Sequence, residues 1–186
     1  NLFKAKTILA VTTAAVRSAR NGSEFVQTVE QETGIKLKIL TEQEEAHLGY
    51  LGVINTIDIE DAVLFDLGGG STQLTLIKNR KSQQSITLPF GTLFLTEKFG
   101  TQDTVTPESL ENMQSYILTQ LEAIPWMKGL HLPLIGVGGT ARNIAKMDHK
   151  RKNYPYPKVH NYRLGSISFK DLWGSLSKSS LIHRRN

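Results

Sequence analysis

The residues best suited to do chemistry lie in FDLGGGSTQLTL, at positions 65–76. Three consecutive glycines, Gly68, Gly69 and Gly70, let backbone N–H groups approach an anion closely. Ser71 and Thr72 add hydroxyl donors. Asp66 can hold a divalent cation or orient a water. The stretch lies between two expected strands, and this excludes two familiar phosphate motifs. A Walker loop needs G-x-x-x-x-G-K-[ST] opening a helix, and a dinucleotide fingerprint also needs a helix after its glycines. The competing reading is a plain glycine hairpin with an incidental acid. Three glycines exceed what a two-residue turn requires, which favours the anion loop.

A second cluster, GVGGT at 136–140, follows an apolar run and opens an expected helix. In that geometry the N–H groups of Gly138 and Gly139 can bind an anion, and Thr140 can add a hydroxyl. Close strand–helix packing explains the same residues equally well. Two such loops in one chain point to an extended phosphate ligand more strongly than either alone.

The third candidate is Glu45, in ILTEQEEAHLGYLGV. Thr41 and Glu44 can form a capping box, which gives Glu44 a structural role and leaves Glu45 without one. Leu48, Gly49 and Gly52 share its helix face. An acid above an apolar, closely approached stripe is expected to be desolvated and suited to general-base work. First-turn acids also favour the helix dipole, a reading that explains Glu42 and Glu44 better than Glu45. Arg17, in TTAAVRSAR, could clamp an oxyanion, although on local grounds a solvated cation is the simpler reading. The histidines at 47, 131, 149, 160 and 183 lack zinc-site spacing, and no G-x-S-x-G elbow is present.

These residues must be positioned by elements that alternate between strand and helix. Strands are expected at 6–11, 37–40, 62–67, 73–77, 82–89 and 132–139. Helices are expected at 12–19, 23–33, 41–54, 92–99, from 107 onward, at 140–147 and at 169–177. Thr106 with Pro107 marks a helix start. The stretch 149–162 reads as a basic, aromatic loop, and 55–61 as a polar connection between domains. The pattern is that of an α/β protein.

Composition narrows the class. The 186 residues are 39% hydrophobic and 21% charged, with no cysteine. Disulfides and thiolate metal sites are excluded, and a reducing, cytoplasmic setting is expected. No apolar run reaches the roughly 18 residues that span a bilayer, so no membrane partner is expected. NLFKAKTILAVTT resembles a signal peptide only superficially. Net charge divides sharply. Residues 1–123 hold 10 Lys/Arg against 15 Asp/Glu, whereas residues 124–186 hold 12 against 2. A basic C-terminal third suits a polyanionic partner. The tyrosines near 154–162 carry no RNA-binding signature, so no specific nucleic acid is expected. The abrupt start and finish of the chain suggest a piece of a larger protein.

Six stretches, in order, carry a resemblance: AVTTAAVRSARNGSEF, ILTEQEEAHLGYLGV, AVLFDLGGGSTQLTLI, LPFGTLFLTEKF, IGVGGTARNIAKM, and HNYRL followed by FKDLWGSL. Together they resemble the exopolyphosphatase/guanosine pentaphosphate phosphohydrolase (Ppx/GppA) family. The resemblance implies actin-like, ribonuclease H-like α/β domains with mixed sheets flanked by helices. Residues 1–57 would complete a first domain and 58–186 would form most of a second. It implies Mg²⁺-assisted release of the terminal phosphate from inorganic polyphosphate or guanosine pentaphosphate. Glu45 then matches the base that activates water, and Asp66 an acid near metal and water. Arg17 matches a phosphate-contacting arginine, Gly68 to Thr72 one phosphate loop, and Gly138, Gly139 and Thr140 a segment lining the cleft.

A homodimer is left open for the full-length protein. The family's D-x-G-S-N-S loop and R-A-D segment have no counterpart, so the chain alone is expected to be inactive. Many members carry Glu where this chain has Gln73. That change motivates a competing reading, a non-catalytic sensor of polyphosphate or guanosine alarmone. A kinase of the same superfamily is a third reading, but it lacks a recognisable adenosine pocket.

Overall fold

The computed structural model describes residues 5–100 and 105–179. The leading residues of the signal-like stretch and the terminal HRRN lie outside them. A first, small sheet pairs β1 (Ala10–Thr12) in parallel with β2 (Leu37–Ile39). Between them lie α1 (Ala14–Arg17) and α2 (Gly22–Thr33). The strand expected at 6–11 is therefore shorter, and Leu9 is 90% exposed. Among the described residues only β2 pairs with this segment, and its ladder extends over three residues. The helix expected at 12–19 shrinks to one turn. Asn21 is the residue preceding α2, which ends at Gly34 in the left-handed region (φ 71°).

Helix α3 (Glu42–Ile54) opens on the expected capping box, in which Thr41 and Glu44 satisfy each other's backbone N–H. It links the two sheets. Lys38 of β2 pairs with Glu44 in its first turn, and Tyr50, Val53 and Ile54 near its end pack on the second sheet. That sheet is four-stranded and mixed, in the order β5–β4–β3–β6. Its members are β3 (Ala62–Leu67), β4 (Thr72–Lys78), β5 (Lys81–Leu88) and β6 (Leu134–Val137). β3 runs antiparallel to β4 and parallel to β6.

The β4–β5 turn has positive φ at both central residues, Asn79 and Arg80, the requirement of a tight primed hairpin. Arginine is unusual there, and its side chain explains its presence. It donates to the Ile54 carbonyl at 2.7 Å, so a cation sits at the C-terminal end of α3.

On one face of the sheet α3 covers Leu64 and Ile77. On the other, α4 (Thr92–Phe99) and α5 (Pro107–Glu122) bury Leu74, Leu88, Phe90, Leu95 and Ile124. Thr106 caps α5 and Pro107 occupies its first turn, as the sequence predicts. A short 3-10 helix at Pro125–Met127 precedes β6. α6 spans Gly138–Arg151, longer at both ends than the expected 140–147, and α7 spans Ser166–Leu176.

The reason α6 continues past 147 is Asp148. Its side chain is fully buried and accepts hydrogen bonds from Arg151 (3.0 Å), Lys152 (2.8 Å) and the Tyr162 hydroxyl (2.6 Å). Burial pushes this carboxyl up, but the bonds from Lys152, Tyr162 and Arg151 outweigh it and hold it at about 2. Part of the basic C-terminal third is thus spent on anchoring its own loop. Arg151 also reaches Ser168 and Asp171 of α7.

Candidate active site

Sheet register creates the site. Asp66 lies opposite Gln73, and Leu64 opposite Thr75, so all four side chains rise from the same face. The first two turns of α3 cross that face. Glu45, Gly49 and Val53 recur at intervals of four along one helix side. Val53 is core, Gly49 leaves space, and Glu45 stands at the open end. A small cleft results, lined by Glu45, Gly49, Asp66, Gln73, Thr75 and Val137.

Glu45 is held by Arg17, whose Nη1 donates to the Glu45 carboxylate at 3.0 Å and to the Leu40 carbonyl at 2.7 Å. Both side chains are about one-fifth exposed, at 21% and 19%. The tight packing expected at Gly49 and Gly52 is not found, because a Cβ at either would meet nothing within 4 Å. Burial acts instead on Asp66. Its carboxyl is pushed above the ordinary aspartate range, first by desolvation and then by the nearby Glu45, while Arg142 opposes the shift. Arg142, exposed in the first turns of α6, escaped the sequence reading. Its signal was a cation on the helix opened by the second glycine cluster.

The two glycine segments meet. β3 and β6 are parallel, so residues 68–71 and 138–140 leave the same sheet end, where open α/β sheets bind ligands. Gly138 has φ 81°, and a Cβ there would lie 2.3 Å from Asp66 Oδ1. The Asp66 carboxylate therefore rests against the first residue of α6. The Thr140 hydroxyl donates to the Leu67 carbonyl at 3.0 Å, tying one segment to the other.

The Gly68–Gly70 loop is shaped from behind. Gly68 N–H donates to the Ser71 carbonyl at 3.0 Å. The carbonyls of Gly68 and Gly69 accept from the N–H groups of Thr92 and Leu93 at the start of α4, at 2.8 and 2.9 Å. With these carbonyls turned toward α4, the N–H groups of Gly69 and Gly70 make no backbone hydrogen bond among the described residues. None of the three glycines has positive φ. Close approach is what two of them supply, since a Cβ on Gly68 would lie 3.2 Å from the Ser71 carbonyl oxygen and one on Gly69 3.2 Å from Leu93 Cδ1. A Cβ on Gly91 would come within 2.4 Å of the Gly69 backbone. Gly91→Ala is expected to destabilise the protein by about 2 kcal/mol, the cost of overpacking, as read by thermal melting.

Two expected hydroxyl ligands are already engaged. The Thr72 hydroxyl is buried and donates to the Phe90 carbonyl at 2.7 Å, and that of Thr140 is bonded as above. Ser71 differs, because its Oγ accepts from Gln73 Nε2 at 3.2 Å.

A divalent cation fits the carboxyl chemistry. Asp66 accepts no side-chain or turn hydrogen bond among the described residues, and its negative neighbour is Glu45. The described residues contain no cluster of three or more His, Cys, Asp or Glu that could hold a metal. A single carboxylate, here Asp66, completed by substrate phosphates and waters is an arrangement Mg²⁺ takes.

A mixed sheet flanked by helices, continuing from a smaller parallel pair, defines an α/β protein of the actin-like class. The Ppx/GppA phosphatase family model matches residues 1–185, and the chain belongs to that family. A Ppx-GppA enzyme of Aquifex aeolicus superposes with a TM-score of 0.81 at 29% identity, over 99% of this chain and 61% of that one. An exopolyphosphatase of Cytophaga hutchinsonii shares the fold with a TM-score of 0.83 at 22% identity, over 92% of this chain and 57% of that one. A bifunctional 3-dehydroquinate synthase/phosphatase of Fusobacterium nucleatum is 32% identical over 92% of this chain and 26% of its own length. The chain thus spans about three-fifths of the solved relatives. No helix among the described residues is long and apolar enough to cross a membrane.

Proposed function

We propose that this chain forms one wall of a cleft that hydrolyses the terminal phosphoanhydride of inorganic polyphosphate or of guanosine pentaphosphate. The observation that carries the reading is the pairing of Glu45 and Asp66 around the space left by Gly49, beside two glycine segments at one sheet end. Water in that space loses its proton to Glu45 as it attacks the terminal phosphorus in line. Arg17 fixes the Glu45 carboxylate and keeps further guanidinium N–H groups for a phosphate oxygen. The N–H groups of Gly69 and Gly70 receive phosphate oxygens without reorganisation. Asp66 would hold Mg²⁺, which would offset charge on the phosphate oxygens. The exposed cations of the C-terminal third suit the rest of a polyanion.

Asp66 must be ionised for this role, so activity is expected to fall on the acid side as it protonates. Arg142 lowers its carboxyl. Arg142→Gln should therefore move the acid limb of the pH–rate profile to higher pH. An unmoved limb would separate that limb from Asp66.

A second reading, a non-catalytic sensor, is favoured by Gln73, an uncharged amide in an acid-lined cleft. Phosphate release from polyphosphate and guanosine pentaphosphate with Mg²⁺, measured beside calorimetric binding on the full-length protein, separates the two. Release supports the hydrolase, and binding without release supports the sensor.

A further inference from the structure

A two-residue hairpin of the β4–β5 kind is closed best by Asn-Gly. Here Asn79 is followed by Arg80 at φ 61°, a conformation that strains an arginine and suits a glycine. What Arg80 holds accounts for the strain. Its Nη2 donates to the Ile54 carbonyl at 2.7 Å, and its Nη1 to the Ile59 carbonyl at 3.3 Å. Its backbone N–H donates to the Glu60 carbonyl at 2.8 Å, and its own carbonyl accepts from the Tyr50 hydroxyl, also at 2.8 Å. A helix leaves its last four carbonyls without helical partners. In α3 those of Leu51, Gly52 and Val53 are taken by Asn55, Thr56 and Ile57, the residues that follow. The fourth, on Ile54, is taken by Arg80 from the second sheet.

The packing of α3 gives this anchor its importance. The first turn is tied away from the second sheet, Glu44 to Lys38 and Glu45 to Arg17. The middle is loosely packed, since a Cβ on Gly49 or Gly52 would meet nothing within 4 Å. The place of α3 over the second sheet is therefore set at its last turns, by Tyr50, Val53, Ile54 and Arg80. Nine residues, about 14 Å of helix, separate Glu45 from Ile54. A helix of that length moves as a rigid element, so a tilt at one end swings the other. We propose that Arg80 is a positioning residue for Glu45: it latches the C-terminal end of α3 to the β4–β5 turn and so holds the Glu45 carboxylate, at the other end, beside Asp66. The inference rests on the hydrolase reading above, in which Glu45 is the base.

The test is steady-state phosphate release from tripolyphosphate with Mg²⁺ by the full-length protein and its variants, beside thermal melting. Arg80→Gly relieves the turn, which offsets the lost hydrogen bonds, so the melting point should move by only a few degrees. Its kcat should nonetheless fall about tenfold, as expected for a displaced reacting group, with KM within about twofold. Arg80→Asn also suits a left-handed turn and should lose the same factor, which keeps the test whole if the glycine variant fails to fold. Asp61→Asn loosens the same turn without releasing α3. Asp61 accepts from Lys78 Nζ and from the Asn79 N–H, each at 2.9 Å, and makes no hydrogen bond to α3 among the described residues. That variant should melt lower and keep kcat within about twofold. In a Glu45→Ala background, Arg80→Gly should change the rate by less than about twofold, because the group it positions is gone.

Unchanged kcat in both Arg80 variants overturns the proposal. So does an equal fall in Asp61→Asn, or a tenfold fall that persists when Glu45 is already replaced. An unaltered protein that releases no phosphate overturns the hydrolase reading and the inference together. Release that is indifferent to residue 80 overturns the inference alone.

Discussion

Glu45→Ala in the full-length protein is expected to slow phosphate release by a factor of about 10²–10⁴, with polyphosphate binding largely retained. The size follows from what the residue does. A positioned base contributes only as the attacking water gives up its proton, so its loss falls on kcat more than on affinity. Two contacts complicate the substitution. Arg17 loses its carboxylate partner and becomes free for a phosphate oxygen, which would hold or tighten binding. Asp66 loses the neighbour that raises its carboxyl, so it ionises at lower pH. Both effects oppose a loss of binding and strengthen the expected split between kcat and affinity. Steady-state release beside calorimetry reads the split. A fall in affinity with an unchanged rate would give Glu45 a binding role instead.

Asp148→Ala is expected to destabilise the protein by about 2 kcal/mol, since it removes the buried shared acceptor of a tyrosine and two half-exposed cations. That corresponds to a melting point lower by roughly 4–8 °C for a chain of this size. Acid should mimic the substitution. The folded carboxyl is held at about 2, below its ordinary 3.8, so the folded chain binds fewer protons than the unfolded chain between those values. This stabilisation is fully present above 3.8 and is lost as pH falls toward 2. The Asp148→Ala variant should therefore show a flatter stability profile over that interval. A variant that melts like the unaltered protein would mean that α6 and the 152–165 loop hold without the cluster.

Much of this architecture was legible in the sequence because local chemistry dictated it. The capping box at Thr41 and Glu44, the Thr106–Pro107 start and the end of the 23–33 helix each depend on neighbours in sequence. The strand at 62–67 was visible as a continuous apolar run. Elements that depend on distant partners were read less well. The first strand was overextended because its length is set by pairing with β2. The C-terminal end of α6 was cut short because Asp148 looks like any surface acid until Tyr162 and Lys152 fold over it.

The candidate site divides in the same way. Glu45 and Asp66 were singled out from type and spacing and line one cleft, and the two glycine segments leave the same sheet end beside it. The expected cause of Glu45's reactivity, packing against its glycines, was misplaced. Gly49 instead leaves a space, and burial acts on Asp66. Which hydroxyls stay free was not readable at all. Thr72 and Thr140 are engaged by carbonyls 18 and 73 residues away in sequence. Gly91, needed behind the first loop, lies about 20 residues beyond it.

The central claim is that water, activated at Glu45, attacks the terminal phosphorus. Hydrolysis of polyphosphate by the full-length protein in ¹⁸O-labelled water, with mass analysis of both products, tests it most directly. The account predicts one labelled oxygen in each released orthophosphate and none in the shortened chain. Label in the chain, or no release with Mg²⁺ present, would contradict it.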